Sequence, residues 1–375
     1  MAIYDQLALS TIHDTMLTLK FLQGENIGAE TLVQYNKALR QLRSHLGSED
    51  RPSAKVALIC CVLFCQLETM RGEITPAFEH LRNGIDILCE HKSPNDLSDT
   101  ETQRDDLDEL KYVFHRMELQ AMQFNNIKFA EYGHLRLQLI SADERAGNAS
   151  CVPRMRFENL DEAHWSLDKL QSWFFAFFAE NDIYKFLPLE ELPTAVREEK
   201  DRLLTQYDMW QTTLLESTFQ DIAEGSRDRT PEVVKDGVII LRLLHRMQQL
   251  LLRAILPLQE EAIFDVTPNP DIESVLDWAA HLVASPNVSP GSFSSETGIV
   301  APLGIIVLKC HDPEICARAM AILAAAKRKE SFIDSQMLVD AVAQFAQIRA
   351  RKELSEQIAY AGQRNAFWEP SFSES

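Results

Sequence analysis

Apolar residues recur along most of this chain at spacings of three and four, the period of an α-helix. Leu7, Ile12, Met16 and Leu19 form the first such stripe, and Leu32, Tyr35, Leu39 and Leu42 form a second within Glu30–Leu46. After Pro52-Ser53, the residues from Val56 to Leu67 are apolar on nearly every side. That pattern predicts a helix buried all round at the centre of the core. Arg71-Gly72 ends it, and a second helix is predicted from Pro76 through Ile87-Leu88.

These two helices read as an antiparallel hairpin like one tetratricopeptide unit, but no further copy follows at a fixed period, so no repeat array is predicted. Residues 92–106 are polar and acidic and read as a surface loop. From Asp106 to Asn125 the pattern predicts a helix with Leu110, Val113, Met117 and Met122 inward. Glu144–Phe157 reads as a connector between two lobes, 1–143 and 158–365, of the single unit spanning 1–375. Asp161–Glu180 is an aromatic-rich helix, and Leu189–Ala223 one or two helices beginning near Leu192-Pro193. Pro231 starts a helix through Ile255 that Pro257 stops. Pro270–Ala284 is another. Residues 285–297 combine Ser, Pro and Gly without apolar period and read as a flexible loop. Pro313 starts a helix ending near Lys329, Ser335–Tyr360 is a long final helix, and the tail from Ala366 is expected to fray. No alternating segment is long enough to predict a sheet, so the expected fold class is all-α: a large multi-helix domain in packed layers with helical-hairpin pieces.

Composition agrees. A chain of 375 residues can bury a large core. Its 13 glycines and 15 prolines are sparse for an all-β protein. The net charge of −19 repels phosphates and gives no electrostatic footprint for nucleic acid. Seven cysteines, an odd number mostly set in apolar runs, read as free thiols in a reducing compartment. Asp5, His13 and Asp14 stand where a secretory signal needs an apolar stretch. The longest apolar run, Val56–Cys65, falls short of the about 20 residues that span a bilayer. A soluble intracellular protein with no membrane partner and no direct nucleic-acid partner is expected.

Candidate chemistry is sparse. Cys61 and Cys65 share a helix face with Cys60 beside them, but their neighbours are Leu58, Ile59, Val62, Leu63 and Phe64. Small core thiols explain them better than zinc, which needs paired ligands on turns. In Cys310-His311-Asp312 with Cys316, Asp312-Pro313 has its own structural reason as an N-cap followed by proline at the first helical position. No nucleophile elbow, zincin motif, dinucleotide fingerprint or phosphate loop is present. His115 and His134 sit singly near Arg116 and Arg136. The carboxylate pairs Asp105-Asp106 and Asp143-Glu144 suit solvated helix starts. Trp165, Trp173, Phe174, Phe175, Phe177 and Phe178 predict core packing first and a ligand pocket second. Lys327-Arg328-Lys329 and Arg349–Lys352 are small basic clusters of the kind an import receptor reads, on predicted helices where cations are favoured anyway. No catalytic, metal-binding, cofactor-binding or DNA-binding residue is assigned, and no cofactor is expected.

One resemblance gives these features a context. Gly298, Pro302, Leu303, Lys309, Cys310, Asp312, Pro313, Arg318, Ala319, Ile322, Leu323, Asp334 and Ser335 follow an order that resembles the C-terminal signature of the regulatory domain of fungal zinc binuclear-cluster transcription factors. A second stretch is similar: Tyr35-Asn36-Lys37-Ala38-Leu39, Ala57 to Phe64, Gly72, Ala77, His80-Leu81-Arg82, Gly84 and Ile87-Leu88. The resemblance implies an all-helical regulatory domain. Members carry a six-cysteine DNA-binding module upstream, often with a short coiled coil, whereas Met1 here falls directly inside the regulatory domain. It therefore implies a transcriptional regulator or co-regulator of a fungal secondary-metabolite gene cluster, acting without a zinc-cluster module of its own. The expected partners are proteins, a DNA-binding transcription factor among them, with a small-molecule effector. The expected location is the nucleus, with the cytoplasm as a second. The alternative is a biosynthetic enzyme of cyclase or isomerase type on the same scaffold. A deep pocket with converging polar groups would distinguish it.

Overall fold

A computed structural model describes residues 54–90, 101–124, 156–217, 231–287 and 291–340, with single positions such as Leu137, Arg145 and Val152 between them. The stripes predicted within 1–46, most of the 144–157 connector, the final helix beyond 343, His134 and Arg349–Lys352 lie outside the described residues.

Helices dominate, so the chain is all-α in class. Helix α1 (Ala54–Arg71) packs along α2 (Ile74–Glu90) as the predicted hairpin. Gly72 ends α1 at φ 83°, a left-handed value that glycine adopts without penalty. Its N–H donates to Thr69 O at 3.0 Å and the Glu73 N–H donates to Glu68 O at 2.9 Å, which satisfies carbonyls the helix end would leave open.

All-round burial of α1 is corrected. Leu58, Cys61 and Cys65 are buried, but Val56, Ile59, Val62 and Leu63 are only half-buried. Helix α3 (Glu101–Phe124) begins inside the segment expected to be loop. Met117 is buried and Leu110 packs against the cluster as expected, together with Phe114 and Ala121, while Val113, expected inward, is 39% exposed, which corrects that position. The physical reason is a close approach. Gly84 of α2 lacks the Cβ that would stand 2.0 Å from Phe114 Cε1, so the Phe114 ring settles there and fixes the rotation of α3.

A second, larger apolar cluster begins at Val152 and is built by α4 (Leu160–Asn181), α5 (Thr194–Glu216), α6 (Pro231–Ala254), α7 (Glu260–Phe264) and α8 (Pro270–Ala284). It ends with α9 (Val300–Lys309) and α10 (Pro313–Ala326). The predicted starts at Pro231, Pro270 and Pro313 are met. Asn159 caps α4 by accepting from the Glu162 N–H at 2.8 Å, and Glu162 Oε2 accepts from the Glu158 N–H at 2.6 Å. One of these donors belongs to the first turn of the helix and the other to the residue before the cap.

The helix enclosed by its neighbours is α6 rather than α1. From Leu243 to Ala254 most of its side chains are buried, polar ones included. His245 Nε2 donates to Tyr207 O at 2.7 Å, Gln248 Oε1 accepts from the Tyr207 hydroxyl at 3.1 Å, and Gln249 Nε2 donates to Asp208 Oδ1 at 2.6 Å. Trp173, Phe174 and Phe177 of α4 lie in this core, as expected of the aromatic run.

The loop expected across 285–297 contains a strand. β1 (Phe293–Ser294) pairs in parallel with β2 (Lys329–Glu330), and β2 pairs antiparallel with β3 (Ile333–Asp334). Strands of two residues leave no alternation for sequence reading to find. The turn between β2 and β3 carries Phe332, which enters the α1–α3 cluster against Phe78 at 4.9 Å between ring centroids.

Candidate functional site

A cluster of polar side chains forms where α3, α4 and the small sheet come together. Arg116 of α3 reaches Asp168 of α4 through Nε at 3.2 Å and Glu296 through Nη1 at 2.9 Å. The Tyr112 hydroxyl donates to Asp168 Oδ2 at 3.0 Å and also contacts Arg116 Nη2. Gln120 Nε2 donates to Glu296 Oε2 at 3.4 Å, and the Ser331 hydroxyl donates to Gln120 Oε1 at 2.8 Å. One chain of polar contacts thus runs from α4 through α3 to the sheet.

Behind it lies Glu330. Its carboxylate accepts the N–H groups of Gly298 at 2.9 Å, Ile299 at 3.1 Å and Val300 at 2.8 Å, where α9 begins. Arg328 pairs with it at 2.9 Å. A carboxylate at a helix start satisfies donors that have no intrahelical partner and meets the positive end of the helix dipole. Burial pushes the Glu330 carboxyl up, while Arg328 and the three N–H groups pull it back.

The titrating groups of the cluster are shifted by the same low-dielectric setting. Burial pushes the Asp168 carboxyl up to about 6, although Arg116 and Tyr112 pull it down. Burial and Arg116 push the His164 imidazole down to about 4. An acid near 6 lies in the range useful for proton transfer. Here, however, Asp168 Oδ2 is taken up by Tyr112 and Arg116, and the cleft beside it, lined by His164, Gln171, Gln248 and Thr297, holds about one water molecule. The arrangement fastens elements together and leaves no room for a substrate.

The candidates raised from sequence fall elsewhere. Cys60, Cys61 and Cys65 are free thiols, Cys61 and Cys65 in the core and Cys60 half-buried, and burial pushes Cys65 up to about 12 and Cys61 up to about 11. Cys310 Sγ donates to Phe264 O at 3.4 Å and Cys316 Sγ to Cys310 O at 3.0 Å. Asp265 Oδ1 accepts the His311 N–H and Oδ2 contacts its Nδ1, both at 2.7 Å. Asp312 Oδ1 caps α10, accepting from the N–H groups of Glu314 at 2.8 Å and Ile315 at 3.2 Å. Among the described residues, no three His, Cys, Asp or Glu side chains are grouped as metal ligands, and no helix is long and apolar enough to cross a membrane. His115 is buried and donates through Nδ1 to Leu137 O. In the basic cluster Lys327 is exposed, but Lys329 is half-buried and Arg328 is committed to Glu330, because α10 ends at Ala326 and the chain turns into β2.

Folding also gathers residues not singled out in the sequence. Asp236 Oδ2 accepts from the Ser285 hydroxyl at 2.5 Å and from Asn287 Nδ2 at 2.9 Å, with His281 Nε2 3.6 Å from Oδ1. A serine that donates to the carboxylate instead of to the imidazole is not activated for attack. Asp168 carried a readable signal, an acid between Leu167 and Leu170 on an apolar helix. Glu296 and Glu330 carried none, since each is an ordinary acid in a short polar segment.

Over 66 residues, 18% of this chain and 16% of the other, the sequence is 35% identical to "Transcription regulator lscL" of Purpureocillium lilacinum, a fungus. The matched stretch thus spans about a sixth of that protein. No family model matches the chain, so the specific regulatory-domain family remains a resemblance. No solved structure matches it.

Proposed function

We propose that this protein is a fungal transcriptional regulator or co-regulator, and that the genes it controls belong to a secondary-metabolite cluster. The observation that carries the reading is the 35% identity over 66 residues to a protein described as a transcription regulator. The acidic balance, net charge −19, supports action through protein partners, a DNA-binding factor among them, instead of contact with phosphates. A nuclear site of action and a small-molecule effector belong to the same proposal. Two separate apolar clusters, one around α1–α3 and one from Val152 onward, support reading the chain as two lobes, 1–143 and 158–365. The engagement of Asp168 Oδ2 by Tyr112 and Arg116, beside a cleft that holds about one water molecule, favours the regulator over the cyclase or isomerase reading.

The test is a deletion strain in which cluster transcripts and accumulated intermediates are both measured. Loss of several transcripts together is the expected result. Normal transcripts with one accumulated intermediate would assign the protein to catalysis.

A further inference from the structure

Exposed large apolar side chains such as Leu215 and Leu308 stand singly along the chain, but between α4 and α5 three occur within seven residues, two of them the most exposed among the described residues. Between α4 and α5 the chain makes two single turns of 3-10 helix, Asp182–Tyr184 and Leu189–Glu191. Here Ile183 is 79% exposed, Phe186 76% and Leu189 49%. The turn after α6 brings up Leu258, 45% exposed, whose N–H donates to Lys185 O at 3.0 Å. These residues do not belong to a loose strap. Lys200 Nζ donates to the carbonyls of Arg253 at 3.3 Å and Leu256 at 3.1 Å, which pins the α6 turn to α5. A clustered apolar surface held in place on a folded protein marks an interaction site.

Charge decides what fits it. Glu190, Glu191 and Glu261 flank these residues, are exposed and form no ion pair among the described residues. Two nearby cations are offset by acids: Lys185, which also lies 5.2 Å over the Phe186 ring, holds Asp182 at 2.9 Å, and Lys309 holds Glu260. Arg197 and Lys200 contact only neutral oxygens and keep their charge. Three glutamates set against these two cations leave the border with a net negative charge. A second copy docking through the same patch would set these glutamates against their own images, because a two-fold interface pairs a surface with itself. An anionic lipid surface would be repelled in the same way. A segment with an apolar face flanked by Lys or Arg meets both features at once.

We propose that the face formed by Ile183, Phe186, Leu189 and Leu258 docks a basic, apolar-faced segment of a partner protein. This surface stands whether or not the partner is a transcription factor. The probe is a fluorescent 14-residue amphipathic peptide of Leu and Lys, titrated with the full chain at physiological salt. Three comparisons accompany it: the peptide with Leu replaced by Ser, the peptide with Lys replaced by Glu, and the protein variants Ile183→Ser/Phe186→Ser and Glu190→Lys/Glu191→Lys. Each change is expected to weaken binding about tenfold or more, as loss of a few buried apolar contacts or of charge complementarity does. All four residues are exposed, so melting temperatures should match the parent protein. Absence of binding, or binding that both protein variants retain, overturns the proposal. A concentration-dependent dimer that the Ile183→Ser/Phe186→Ser variant abolishes also overturns it, and assigns the face to a second copy.

Discussion

The carboxylate of Glu330 occupies the space that a side chain at Gly298 would need. A Cβ on Gly298 would stand 2.6 Å from Glu330 Oε1, and the Gly298 N–H already donates to Oε2 at 2.9 Å. The glycine is thus required by close approach to a buried charge, and the acid by the unpartnered N–H groups where α9 begins. Gly298→Ala is expected to cost about 1–3 kcal/mol, the range for overpacking a filled core. Glu330→Ala should cost more, at about 1–3 kcal/mol for each buried donor left without a partner. Urea unfolding of both variants measures this, and a Glu330→Ala protein as stable as the parent would remove the proposed role.

Gly84 and Phe114 make a second tight pair, this time within the α1–α3 cluster. Gly84→Ala drives a methyl into the Phe114 ring and should destabilise by about 1–3 kcal/mol. Adding Phe114→Leu should recover part of that loss, since neighbouring changes are not additive. A Gly84→Ala protein that melts with the parent would show that the ring moves aside without cost.

Leu58 and Leu63 lie on the same helix with different surroundings. Leu58 is fully buried, and Leu58→Ala should cost about 2–5 kcal/mol. Half-buried Leu63 should lose clearly less on the same change. Chemical denaturation of the two variants separates them, and equal losses would restore the picture of a helix enclosed on every side.

The cap at Asp312 predicts a purely structural effect. Removing its carboxylate in Asp312→Ala frees two N–H groups of α10 and should cost about 0.5–2 kcal/mol. Cellular activity should fall only in proportion to folded protein. Thermal melting, abundance and activity measured together check it. Unchanged stability with lost activity would point to a working site around Cys310 and His311.

Two buried histidines, His115 and His245, and the half-buried His164 set the acid limit of stability. Burial holds His115, His164 and His245 down to about 4, against about 6.5 in an unfolded chain. The unfolded chain takes up their protons first, so their stabilisation is present above about pH 6.5 and lost as pH falls toward 4. Asp168, raised to about 6, acts oppositely: its ionisation lowers stability as pH rises from about 4 to 6. Three imidazoles outweigh one carboxyl, and stability should rise from pH 4 to 6.5. His245→Phe keeps a ring against Trp210, on which His245 stacks at 4.8 Å, and removes one titration. The slope of unfolding free energy against pH should drop by about 1.4 kcal/mol per unit near pH 5. An unchanged slope would show that His245 does not titrate in that range.

What the sequence determined by itself is local. Helix starts at Pro231, Pro270 and Pro313, the Asp312 cap and the α1–α2 hairpin were legible because a cap, a proline and a glycine stop act within one turn of the chain. Which helix is enclosed was decided by tertiary structure. The run Val56–Leu67 is apolar but for Gln66 yet half-buried along one face, whereas α6 carries His245, Gln248 and Gln249 into the interior. Those polar groups can be buried because Tyr207 and Asp208 of α5 supply their hydrogen bonds, and that pairing lies about forty residues away in sequence. The same holds for Phe332 among the α1–α3 side chains and for Glu330 beneath Gly298: periodicity reports which face of an element is apolar, while burial depends on what the rest of the chain brings against it.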